Sequence, residues 1–113
     1  MHELSIAQNI VEIVSKSAQK EGAKGIVEIN LKVGKIAGVE IEALKFSLEI
    51  AGKDSLIENA KINILNIEGK ANCKDCKSSF VIKDLFTPCP ACGNYNSEII
   101  EGKELQIVSF DII

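Results

Sequence analysis

The chain has 113 residues, enough for one domain of ordinary size with a modest core. Hydrophobic residues make up 46%, which excludes a disordered chain, and no run approaches the roughly 18 apolar residues of a membrane span. The net charge of −3 argues against binding nucleic acid through its phosphates, which needs a basic face. Lys70, Lys74, Lys77 and Lys83 cluster near the cysteines and read as a solvated rim. Glu3, Gln8, Asn9 and Glu12 interrupt any apolar run at the start, so no export signal is expected and a cytoplasmic protein is.

Residues 4–20 read as an amphipathic helix. Ile6, Ile10, Ile13, Val14 and Ser17 fall near one face, Glu12, Lys16, Gln19 and Lys20 fall off it, and Gly22 ends it. Residues 26–33 read as a strand, with Val27, Ile29, Leu31 and Val33 alternating with Glu28, Asn30 and Lys32. Gly34 and Gly38 bracket a turn. Residues 40–52 read as a second helix, with Ile41, Leu44, Leu48 and Ala51 on one side. Phe46 and Ile50 widen that stripe and predict a well-buried helix, stopped by Gly52. Residues 61–68 read as a strand with a bulge at Leu65, and 104–112 as the last strand, Val108, Phe110 and Ile112 facing one way.

Before that last strand lie all four cysteines, as Cys73-Lys74-Asp75-Cys76 and Cys89-Pro90-Ala91-Cys92-Gly93, a C-x2-C-x12-C-x2-C pattern. Two residues between thiolates let one turn aim both sulfurs at a single point. Two such turns supply four soft ligands to a tetrahedral ion, and zinc is the usual occupant. Iron in the same cage and a pair of disulfides are the alternatives. Pro90 stiffens the second turn, and Gly93 permits the positive φ that follows such a knuckle. The block 70–102 has little periodic apolar content beyond Phe80, Val81 and Ile82 in one short strand, so a metal is expected to staple it. The expected fold is α+β. A three-stranded sheet with two helices on one face (residues 1–69 and 103–113) carries an inserted four-cysteine zinc ribbon (70–102).

The single histidine is His2. Methionine removal normally needs a small second residue, so Met1 should remain ahead of it. The Met1 α-amine, the His2 backbone nitrogen and its imidazole can close fused chelate rings on one ion. Such a nitrogen-rich square-planar set suits nickel(II) or copper(II) better than zinc.

Met1-His2-Glu3-Leu4-Ser5, the Gly34 turn and the two cysteine knuckles together resemble the HypA family of hydrogenase-maturation nickel metallochaperones over essentially the whole chain. The resemblance implies a nickel site at Met1, His2, Glu3 and Glu40, the last a match to an acidic residue that begins the family's second helix. It implies structural zinc on Cys73, Cys76, Cys89 and Cys92, with nickel as cargo. Some relatives carry histidines beside the cysteine pairs; this chain has none there, so a pH-sensing zinc site of that kind is not expected. The resemblance further implies delivery of nickel to the large-subunit precursor of a [NiFe] hydrogenase together with a HypB-like GTPase, urease being another recipient for some relatives. No enzyme activity, nucleic acid or membrane is expected. A zinc-ribbon nucleic-acid or transcription accessory module is the competing reading, and the acidic chain with one Tyr speaks against it. A metal-dependent enzyme would need an open three-ligand site, and no second Cys/His cluster exists to build one.

Overall fold

The computed structural model describes residues 2–113, with side chains from Glu3 onward. The elements in chain order are helix α1 (His2–Lys20), strand β1 (Ile26–Gly34), helix α2 (Ile41–Ala51), and strands β2 (Lys61–Ile67), β3 (Gly69–Cys73), β4 (Ser79–Ile82), β5 (Ser97–Glu101) and β6 (Leu105–Ile112). They form two three-stranded sheets, ordered β2-β1-β6 and β4-β3-β5. The chain divides into two compact units: residues 1–31, 39–65 and 106–113, and residues 32–38 with 66–105.

In the first unit the 3.6-residue period of α1 buries Ala7, Ile10, Val14 and Ala18, and α1 packs on α2. Helix α1 stops at a Schellman turn: the Gly22 N–H donates to the Gln19 carbonyl and the Ala23 N–H to that of Ala18. Helix α2 starts at Glu40, whose carboxylate accepts from the Glu42 N–H at 3.0 Å, and buries Leu44 and Leu48. On β1, Ile29 and Leu31 are fully buried. The opposite face of the sheet is polar. There the Asn63 amide donates to Glu28 and to Asn30, and the Asn30 amide donates to the Ser109 hydroxyl.

Two expected faces differ from the structure. Ile13, placed in the buried stripe of α1, is 57% exposed, and Ser17 is exposed as well. The buried stripe is rotated toward Ala7 and Ala18, both fully covered. Phe46 and Ile50, expected to bury α2 more fully, are 63% and 54% exposed. They lie on the flank of α2 away from Leu44 and Leu48. Val27 and Val108 are also exposed, so burial on β1 and β6 does not follow the full alternation.

In the second unit, β3 pairs antiparallel with both neighbours, Ala71 opposite Phe80 on β4 and Ile99 on β5, with a register shift at Lys70/Ala71. The sequence reading found one of these three strands; β3 and β5 are short and polar and carry little periodic signal. The buried side chains are few: Val33, Ala71, Ile82 and two cysteines, Cys73 and Cys89. Among the described residues, no helix is long and apolar enough to cross a membrane.

Candidate metal centres

The two cysteine pairs sit in two turns of the same design. In the first, the Lys77 N–H donates to the Cys73 carbonyl and the Cys73 N–H to the Ser78 carbonyl. In the second, the Gly93 N–H donates to the Cys89 carbonyl and the Cys89 N–H to the Asn94 carbonyl. Each turn closes with its fourth residue after the first cysteine in the left-handed region, Lys77 at φ 65° and Gly93 at φ 76°. These paired bonds fold each loop back on itself and aim its two sulfurs inward. The first cysteine of each pair is buried and the second exposed.

The four Sγ atoms lie within 4.8 Å of one another, with Cys73 to Cys92 at 3.6 Å and Cys76 to Cys89 at 3.5 Å. Four sulfurs at 2.3 Å from a tetrahedral zinc stand about 3.8 Å apart. The spacing of the four sulfurs therefore suits an ion of that size. No disulfide joins them, and all four cysteines are free.

Four thiols this close cannot share negative charge equally. The Ser78 hydroxyl and N–H beside Cys76 favour its thiolate and bring it down to about 6. At Cys92 the Asn94 N–H acts in the same direction, but local desolvation and the neighbouring sulfurs of Cys73, Cys89 and Cys76 outweigh it and push the thiol up to about 12. A divalent cation removes that conflict, because it supplies the opposite charge to all four.

Sequence reasoning missed what joins the turns. The Asp75 carboxylate accepts from the Asn94 side-chain amide at 3.0 Å through one oxygen and from the Asn96 amide at 3.3 Å through the other. The Lys74 N–H donates to the Asn96 carbonyl. The only available signal was an acid inside one knuckle and two amides just after the other.

Two of the four residues expected to bind nickel are adjacent. Glu3, on the first turn of α1, is 7% exposed, and its carboxylate accepts from the Glu40 N–H at 3.2 Å. Glu40 is the N-cap of α2, so the openings of both helices meet at these acids. Met1 and the side chain of His2 lie outside the described residues; the His2 backbone begins α1.

Two helices, two small sheets and a four-thiol cage define an α+β protein with a metal site suited to structural zinc. A family model described as "Hydrogenase/urease nickel incorporation, metallochaperone, hypA" matches residues 1–112. The hydrogenase maturation factor HypA of Parabacteroides distasonis is 46% identical over 112 residues, covering 99% of this chain and 97% of that protein. The HypA of Chlorobaculum tepidum is 41% identical and 99% covered on both sides. The solution structure of the nickel metallochaperone HypA from Helicobacter pylori shares the fold, with TM-score 0.68, 21% identity, and 98% of this chain and 97% of that one covered. A second HypA solution structure gives TM-score 0.71 at 22% identity, covering 100% and 97%. The chain belongs to the HypA family of nickel metallochaperones in hydrogenase maturation, a family whose cargo is nickel.

Proposed function

We propose that the chain binds nickel(II) through the Met1 amine, His2, Glu3 and Glu40 and passes it to the large-subunit precursor of a [NiFe] hydrogenase. In this reading it works in the cytoplasm with a HypB-like GTPase and is not an enzyme. Cys73, Cys76, Cys89 and Cys92 hold zinc, whose fourfold thiolate shell leaves no open position for chemistry. Nickel binding belongs to the helical part, 1–69 and 103–113, and zinc binding to the ribbon, 70–102.

The observation that carries the reading is the bond from the Glu40 N–H to Glu3. It ties the first turn of α1 to the cap of α2, so the two acids expected to accompany His2 share one corner. The first amides of a helix have no partner within it, so a metal can take backbone nitrogen there without unwinding the helix. Such nitrogen binds only after losing a proton, so nickel affinity should fall as pH is lowered.

Calorimetric titration of untagged, zinc-loaded protein with nickel is the test. One tight site is expected, lost in His2→Ala and weakened by residues added before Met1. Equal binding by the parent and His2→Ala would remove the terminal site from the proposal.

A further inference from the structure

We propose that Asp75 is a clasp between the two knuckles and sets the rate at which the zinc cage opens at Cys92. The inference rests on the zinc reading of the four thiols.

Asn94 is the node of the second knuckle. Its carbonyl accepts from the Cys89 N–H, and it stands two residues after Cys92. The residue that closes this knuckle on Cys89 is in turn held by its side chain, through the bond to Asp75. The other carboxylate oxygen holds Asn96, which also carries the Lys74 bond back to the first knuckle. A carboxylate using both oxygens on two amides makes charge-assisted bonds, stronger than those between neutral groups. With the clasp shut, the chain just after Cys92 is held at Asn94, which restrains the swing of Cys92 out of the cage. Cys92 is also one of the two exposed sulfurs, where a competing ligand reaches the cage. Partners that orient metal ligands in this way typically affect metal affinity by about 10–100-fold when removed.

The test uses the full zinc-loaded chain, with zinc content measured first and release then followed into excess chromogenic chelator. Asp75→Ala should release zinc about 10-fold faster than the parent. Asn94→Asp sets two carboxylates against each other and should be faster still. Combining Asp75→Asn with Asn94→Asp exchanges donor and acceptor: residue 75 then donates to 94 and still accepts from Asn96. This double variant should return to within about threefold of the parent, which a merely local loss of packing at either position would not produce. If Asn94→Asp holds no zinc at all, zinc retention by the double variant is the same rescue. Release from Asp75→Ala within twofold of the parent, or a double variant no better than Asn94→Asp, overturns the clasp. A parent chain without zinc defeats the cage reading itself.

Discussion

Lys77 and Gly93 occupy equivalent places in the two knuckles and suit them unequally. Both adopt positive φ, and nothing stands within 4 Å of a Cβ added at Gly93. The difference between them is therefore one of backbone conformation. A side chain in the left-handed region costs about 1–2 kcal/mol, part of which glycine offsets by adding freedom to the unfolded chain. Lys77→Gly should stabilise the zinc-loaded ribbon by about 0.5–1 kcal/mol, and Gly93→Ala should destabilise it by about 1 kcal/mol. Denaturant melts of both variants, zinc bound, would read the two opposite shifts; shifts of the same sign would mean the knuckles relax around either residue. The thiol spacing and the need for Gly93 were legible in the sequence because they are local rules of a two-residue gap. The clasp was not, since Asp75 and Asn94 lie 19 residues apart and meet only once the knuckles face each other. Gly34 lies between these cases. Its place in a turn could be read, but its reason is a close approach, a Cβ there falling 1.8 Å from the Gly102 carbonyl oxygen.

Among the elements, the helices and the long strands were legible in type and nearly in extent, and their faces less so. The periodicity of α1 is carried by its large residues, which drew the expected stripe toward Ile13 and Ser17. The buried seam uses Ala7 and Ala18, both fully covered, and alanine contributes almost nothing to an apolar period. The same bias placed Phe46 and Ile50 of α2 inside, although Leu44 and Leu48 alone form its buried ridge. The two positions in α1 therefore predict opposite responses. Ala18→Leu inserts volume where there is none and should cost about 1–3 kcal/mol. Ile13→Ala, on the exposed side, should stay within about 0.5 kcal/mol of the parent. Urea unfolding monitored by helical circular dichroism measures both, and a large loss in Ile13→Ala would place the seam where the sequence suggested.

At the scale of the whole molecule, the two units hold themselves together by different means. Helices α1 and α2 lie entirely in the first unit, whose core is aliphatic: Ile10, Val14, Ile26, Ile29, Leu31, Leu44, Leu48 and Ile57. The second unit buries only Val33, Ala71 and Ile82 besides its cysteines. Ordering a residue costs about 1–2 kcal/mol of backbone entropy, while a fully buried Val or Ile returns about 1.5–3 kcal/mol. Three aliphatic side chains do not balance a ribbon of that length, and a metal binding only the folded form supplies the remainder. Chelating the zinc should therefore leave the helical circular dichroism largely intact and abolish amide-exchange protection in β3, β4 and β5. Restoring zinc under reducing conditions should bring that protection back, and cadmium, another soft tetrahedral ion, should serve in its place. Protection that survives complete removal of metal would show a ribbon stable on hydrogen bonds alone. Loss of the helical signal in the same step would show instead that the first unit depends on the metal as well.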